Sequence, residues 1–467
     1  MSIGTLSGVA QDVGGRLEGA DGSFDSVSTD TRTIGPGQLF FALRGERFDA
    51  TDFVADAARR GAAGAVVEQI APVDLSQVEV GDSRLALGSL ARTWREKMGI
   101  PVIGITGSNG KTTVKELTAA IMRAAMVDYG SDVVLATKGN LNNDIGLPLT
   151  LLALRDFHQV AVVEMGANHP GEIAVLADIA EVNVAIITNA ARAHLEGFGS
   201  LEDVAQTKGE LLDSLAAGDT AVLNHDDAFF AEWAARIGAA QLLSFGLSSE
   251  ADYRAENIRQ SFHSDRQVFE FDLVTPTGNI AVVLPLVGKH NILNALAAAA
   301  AAMAAGAELE HVRDGLAASG NVPGRLRAFR ASTGAMVYDD SYNANPDSVT
   351  AAIAFLEELE GEPWLVLGDM GELGPDAAAL HFGMGELARD AGVRQLYCVG
   401  ELSRETAAGF GNGARWFESV QQLGQALATE CIDGRNILIK GSRFMGLDQL
   451  VRQLEADVVN DSTAGAK

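Results

Sequence analysis

The chain has 467 residues, 47 % of them apolar, which is more than one ordinary core needs; at about 150 residues per domain it should form three. A formal charge of −27 repels polyphosphate backbones and anionic lipid surfaces, so nucleic acid is excluded as the main partner and any anionic ligand must be held locally. Cys398 and Cys431 lack metal-ligand spacing and leave a disulfide open without demanding one; residues 1–17 have neither the basic start nor the apolar core of a leader, and the apolar run at 295–302 is alanine and too short to cross a bilayer. The expectation is a cytoplasmic protein without membrane insertion.

Residues 1–82 carry short apolar runs at 38–43 and 63–68 around a helical segment at 51–60, which reads as a small α/β unit. Within it, Ser28-Thr29-Asp30-Thr31-Arg32 before Gly35-Pro36-Gly37 sets a carboxylate, hydroxyls and a guanidinium beside a turn, either a polar-ligand site or an ordinary capped turn. The mixed spacing of Leu85, Leu87, Leu90, Ala91 and Trp94 predicts a linking strand and helix over 82–98.

The next stretch organises the chain. The apolar run Val102-Ile103-Gly104-Ile105 opens into Thr106-Gly107-Ser108-Asn109-Gly110-Lys111-Thr112-Thr113, after which helical spacing begins. Turn and helix-start N–H groups, the Lys111 charge and a Thr hydroxyl able to ligate magnesium are the parts of a phosphate cradle. It is a variant cradle, because the usual pattern has glycine five residues before Gly110 and Ile105 stands there. Apolar runs at 133–136, 160–163 and 182–187 follow, each ending in polar residues, and strands alternating with helices predict a largely parallel sheet with ligands beyond its carboxyl ends. Lys111, Thr112, Glu164 and His194 then share one rim, able to hold a divalent metal beside a nucleotide. Lys208 lies inside an apolar stripe of Val204, Ala205, Leu211 and Leu212. Residue types alone favour a lysine that snorkels to the edge of the stripe; burial would instead favour the neutral amine, which can take up carbon dioxide as a carbamate.

An apolar strand at 284–287 and Gly288-Lys289-His290-Asn291 lead into an alanine helix, where Asn294 is a cap remnant or an adenine reader. Val322-Pro323-Gly324-Arg325 marks a domain boundary, and strand-like runs at 335–338, 364–367, 395–399 and 436–439 again end in polar residues. The expected fold class is α/β in three domains: a small N-terminal α/β domain at 1–82, a central P-loop, ATPase-like domain with a mainly parallel sheet at 83–321, and a C-terminal Rossmann-like domain at 322–457. A polar tail, read as disordered, occupies 458–467.

These strings, together with Lys138-Gly139-Asn140-Leu141-Asn142-Asn143, Glu164-Met165-Gly166-Ala167-Asn168 and Asp340-Ser341-Tyr342-Asn343-Ala344-Asn345-Pro346, resemble the Mur ligases of bacterial cell-wall synthesis over essentially the whole chain. The resemblance implies an enzyme that joins a carboxylate to an amine with ATP and Mg2+, its partners being UDP-N-acetylmuramoyl-tripeptide and D-alanyl-D-alanine, and its state a monomer. It implies that Gly107, Ser108, Asn109, Gly110, Lys111, Thr112 and Thr113 hold ATP, with Lys111 on the terminal phosphates, Asn294 facing adenine, and Arg325 and Asp340 reaching in from the third domain. Thr112 and Glu164 would hold one magnesium, and His194 with carbamylated Lys208 a second, which makes Lys111, His194 and Lys208 the implied catalytic residues. Asp30, Arg32, Asn140 and Asn143 would serve the UDP-substrate. One departure is Thr51, where the Phe48-Asp49-Ala50 string is usually followed by His. Related ligases acting on folate or another muramoyl peptide share the phosphate loop, and a nucleotide-binding partner without catalysis is the reading of a different class. Residue types single out no general base.

Overall fold

The computed structural model describes residues 2–45, 49–130, 132–263 and 266–455. Phe48 and the tail at 458–467 lie outside the described residues. The chain is α/β throughout. In the first unit, among the described residues, a sheet runs in the order Arg16–Glu18, Gln77–Glu79, Gly64–Val67, Gln38–Phe41, Ser26–Ser28, parallel except at the Arg16–Glu18 edge.

Residues 82–98 contain no strand, contrary to the expectation: Ser83–Met98 is one helix. The Asp82 carboxylate caps it by accepting the Arg84 and Leu85 N–H groups, and Gly99 at φ 64 ends it. Leu85 blurred the spacing because it is apolar yet exposed, while Leu87, Leu90 and Ala91 form the buried stripe. That stripe belongs to one core containing Leu39 and Phe41 of the first unit and Val102 and Leu176 of the second, so this helix is the seam between them.

The central sheet has the order Gly278–Leu284, Arg266–Thr275, Tyr253–His263, Gln241–Gly246, Thr220–Asn224, Val184–Ile187, Val102–Thr106, Val160–Glu164, Val134–Ala136 among the described residues. Its strands are parallel from Val134–Ala136 across to Tyr253–His263 and antiparallel beyond. Val102–Thr106, Val160–Glu164 and Val184–Ile187 are buried along their whole length, the pattern of a parallel sheet covered by helices on both faces. One covering layer is the helix His290–Ala304, whose buried run of alanines lies against the helix Lys111–Ala125. The strand expected at 284–287 is displaced. The ladder stops at Leu284 because Pro285 has no N–H to donate, and the strand itself is Gly278–Leu284.

The third unit holds a sheet ordered Arg327–Arg330, Met336–Asp340, Arg435–Lys440, Glu362–Gly368, Gln395–Val399, Ala414–Phe417, parallel except at its first edge. Helices cover both faces, and two apolar clusters fill the layers.

Candidate active site

Val102–Thr106 sits between Val184–Ile187 and Val160–Glu164, so the loop that follows it opens where the strand order turns. Ile105 remains inside the strand, paired with Glu164 and Ile186, which is why the usual glycine is not needed there. The bend falls instead at Gly107, φ 138, where a Cβ would stand 1.9 Å from Thr188 Oγ1, and at Gly110, φ 86, where it would stand 2.4 Å from Asn294 Oδ1. Asn189 pins the loop: its backbone oxygen accepts the Ser108 N–H and its side-chain oxygen the Asn109 N–H, each at 3.0 Å. Among the described residues no side chain caps the helix Lys111–Ala125, leaving its first N–H groups for an anion.

Lys111 folds back over this cradle, its Nζ donating to the Gly107 oxygen at 2.7 Å and the Ser108 oxygen at 3.2 Å. Burial pulls its pKa below the ordinary lysine range, opposed by Glu164 and reinforced by Arg325. Thr112 Oγ1 donates to Glu164 Oε2 at 2.9 Å, and Asn142 Nδ2 donates to Glu164 Oε1 at 2.7 Å. A hydroxyl and a buried carboxylate thus converge beside the phosphate cradle. Among the described residues no group of three or more His, Cys, Asp or Glu forms an all-protein metal cage. Two hard oxygen donors beside a phosphate site nevertheless fit magnesium, which keeps water and phosphate in most of its coordination positions.

The third unit closes on this rim. Arg325 Nη2 lies 3.4 Å from Thr112 Oγ1, and Arg325 Nε is buried with no hydrogen-bond partner among the described residues. Asn345 Nδ2 donates to Asn109 Oδ1 at 2.9 Å, and Arg192 Nη2 pairs with Asp347 Oδ1 at 2.6 Å. His194 Nδ1 meets Glu372 Oε2 across the same boundary. Asp340 stands behind this contact line: its carboxylate takes Lys440 Nζ at 2.6 Å and the Leu326 N–H at 3.2 Å and makes no bond to the loop.

Lys208 is 1 % exposed and lies in the buried interior, its Nζ 5.1 Å over the Phe198 ring, so it does not snorkel. Burial pushes its pKa down to about 7, with Lys111 acting the same way and Glu172 and Glu210 opposing. The residues expected to face the sugar nucleotide are less assembled. Asp30 and Arg32 pair with each other on an exposed turn, at 2.7 Å. Asn140 is exposed, and Asn143 Oδ1 accepts the Gly146 N–H at 2.9 Å, at the start of the helix Gly146–Leu151. Asn294 is buried, donates to Asn291 Oδ1 at 2.9 Å and backs Gly110.

Residue types alone did not single out Asn142, Asn189, Asn345 or Glu372. Three of them sit in strings whose polar richness was visible, but which amide of a run turns toward the rim depends on the fold of the loop.

A phosphate loop, an adjoining carboxylate and a third domain bringing an arginine to the loop's Thr112 define a nucleotide-dependent ligase of the P-loop type. The Mur ligase middle-domain model matches residues 105–302, the model for the Mur ligase glutamate ligase domain 324–443, and that for the Mur ligase family catalytic domain 23–95. The UDP-N-acetylmuramoyl-tripeptide--D-alanyl-D-alanine ligase of Escherichia coli (strain K12) is 43 % identical over 456 residues, covering 97 % of this chain and 98 % of its own. A crystal structure of MurF from Acinetobacter baumannii superposes with a TM-score of 0.88 at 34 % identity, over 96 % of this chain and 98 % of that one. The MurF ligase of Thermotoga maritima in complex with ADP gives a TM-score of 0.80 at 26 % identity, over 93 % and 98 %. The chain belongs to the Mur ligase family.

Proposed function

We infer that this chain is an ATP-dependent carbon–nitrogen ligase that adds D-alanyl-D-alanine to UDP-N-acetylmuramoyl-tripeptide, giving the pentapeptide precursor of peptidoglycan. The observation that carries the reading is a site built from two domains, with Arg325 of the third reaching Thr112, itself bonded to Glu164 of the second. A relative of that activity, 43 % identical along nearly the whole chain, supports the choice of substrates.

A carboxylate is a poor acylating agent at neutral pH. In this reading the tripeptide's carboxylate oxygen attacks the γ-phosphorus of ATP, the bond to ADP breaks, and an acyl phosphate forms. The dipeptide's neutral amine then attacks the acyl carbon, phosphate departs with the electron pair of the broken carbon–oxygen bond, and the proton lost from nitrogen passes to the departing phosphate or to water. Two anions must meet in the first step, and Lys111, Arg325 and the helix start offset that repulsion. Thr112 and Glu164 would hold Mg2+, with His194 and a Lys208 carbamate as ligands to a second ion; the metal, when bound, neutralises charge on the phosphates. Asn142 holds the Glu164 carboxylate in place, and closure of the third domain excludes water that would hydrolyse the acyl phosphate. Gly107, Ser108, Asn109, Gly110 and Thr113 are assigned to the phosphates, Asn294 and Asp340 to the nucleotide, and Asp30, Arg32, Asn140 and Asn143 to the UDP-substrate.

The domains are assigned as 1–82 for the UDP-substrate, 83–321 for ATP and 322–457 for completing the site. The reading places the enzyme in the cytoplasm as a monomer; among the described residues no helix is long and apolar enough to cross a membrane. Incubation with ATP, Mg2+, UDP-N-acetylmuramoyl-tripeptide and D-alanyl-D-alanine should release phosphate only when all four are present. Phosphate release indifferent to the dipeptide overturns the reading.

A further inference from the structure

A cleft of about 430 Å³ lies between the second and third domains, walled by Ala193, His194, Ala344, Glu372, Arg443 and Phe444. Asn345, which bonds Asn109 of the phosphate loop, lines it too, so the cleft adjoins the place where phosphate would sit. Its walls carry charge of both signs. Glu372 supplies a carboxylate whose side chain is 56 % exposed, and Arg443 a guanidinium steadied by donating to the Tyr342 hydroxyl at 2.9 Å. Ala193, Ala344 and Phe444 give the cleft its apolar surface, and Asn343, Asn345 and Ser442 add uncharged polar groups.

The backbone marks the same spot. His194 and Glu372 are non-glycine residues with positive φ, 55 and 60, and their side chains meet across the domain boundary. That conformation is disfavoured for a residue with a Cβ and persists where the surroundings enforce it, as happens at functional sites. Gly371, beside Glu372, donates its N–H to Ser442 Oγ at 2.8 Å, and Ser442 donates its N–H to the Asp369 oxygen at 3.0 Å. The loops bearing Glu372 and Arg443 are thereby laced into one wall.

We propose that Glu372 anchors the amino group of the acceptor, and that this cleft takes a small zwitterionic peptide whose carboxylate is met by Arg443. The inference rests on the ligase reading above for the reaction and adds the residue that brings the nucleophile to it. A free amine arrives as an ammonium, needs an anionic partner at the entrance and gives up one proton to water before it attacks; the peptide's carboxylate needs a cation at the other end, and short methyl side chains match Ala193 and Ala344. Glu372 is a positioning residue here, and the bond changes take place at the acyl carbon.

Steady-state kinetics of Glu372→Gln test this. The KM for D-alanyl-D-alanine should rise about ten- to a hundredfold, the loss of one charged hydrogen bond. The KM values for ATP and the UDP-tripeptide should stay within about twofold, the pattern of a lost ground-state contact to one substrate alone. The des-amino acceptor propionyl-D-alanine, used as a competitive inhibitor, should inhibit wild type and variant equally, and Glu372→Asp should recover part of the acceptor affinity. Arg192→Ala breaks a contact across the same boundary without lining the cleft and reports a pure closure defect. An unchanged acceptor KM in Glu372→Gln, or all three KM values rising together as a closure defect predicts, overturns the inference. If Glu372→Gln does not fold, the Glu372→Asp kinetics and the inhibitor on wild type decide, since an inhibitor binding as tightly as the amine-bearing acceptor also overturns it. Failure of wild type to use the dipeptide at all would instead overturn the ligase reading.

Discussion

Replacing Lys208 should move stability and activity in opposite directions. Burial takes its pKa from 10.5 to about 7. At about 1.36 kcal/mol per pH unit, burial and Lys111, net of Glu172 and Glu210, place a cost of about 5 kcal/mol on the ammonium. The unfolded chain keeps this proton up to 10.5 and the folded chain releases it above about 7, so between those values the unfolded state binds more protons. Stability therefore rises with pH across that window at up to about 1.36 kcal/mol per unit, and the full penalty stands below it. Lys208→Met removes the charge at similar volume. In carbon dioxide-free buffer at pH 7 it should melt higher than wild type and lose the Lys208 part of the pH slope, read by calorimetry from pH 7 to 10. The same shift prepares the amine for chemistry: at about pH 7.5 about three-quarters of it is neutral, against about one part in a thousand for an unperturbed lysine. Carbamate formation should appear as a new carbonyl resonance with 13C-bicarbonate, absent in Lys208→Met, and ligation should fall at least about a hundredfold. Lys208→Ala should regain part of its activity with a small carboxylate. A Lys208→Met enzyme that melts lower at pH 7 refutes the desolvation argument, and near-wild-type ligation by either variant refutes the catalytic role.

Gly107→Ala puts a Cβ 1.9 Å from Thr188 Oγ1 at φ 138, so the loop must shift; calorimetric titration with Mg-ADP should show binding lost, with about 1–3 kcal/mol lower stability. Glu164→Gln removes the anion bonded to Thr112 and should cost about a hundredfold or more in kcat, with weaker Mn2+ binding measured by paramagnetic resonance. Asn142→Ala frees that carboxylate to turn, and should weaken metal binding by about ten- to a hundredfold at nearly unchanged melting temperature. Cys398 and Cys431 are free and buried, and burial raises both thiol pKa values; a thiol reagent should label them only after denaturation, and rapid labelling of the native protein would contradict the packing.

The phosphate loop was legible because its signals are local. A strand buried on both faces reads as a continuous apolar run, glycines mark the bend, and helical spacing resumes at once, so Val102–Thr106 and Lys111–Ala125 lie where the residues put them. The sharing of a rim by Lys111, Thr112 and Glu164 also followed, since parallel strands bring their carboxyl ends to one edge. Local signals failed where two effects compete on few residues: the exposed Leu85 hid a single helix, and Pro285 cut short an apolar run that looked like a strand.

Residue order alone determined the α/β class and the cradle, because each follows from spacing within a few turns of chain; it put Lys208 in an apolar stripe but favoured a side chain that snorkels, and the packing of the folded chain is what buried it. Tertiary structure decided which groups face one another over long separations: Glu372 with His194, Asn345 with Asn109, Arg325 with Thr112, and Asn142 as the amide on Glu164. Those pairings depend on how two sheets dock and how each loop turns its side chains. Side-chain periodicity carries no trace of either, since it records only which face of its own element a residue occupies.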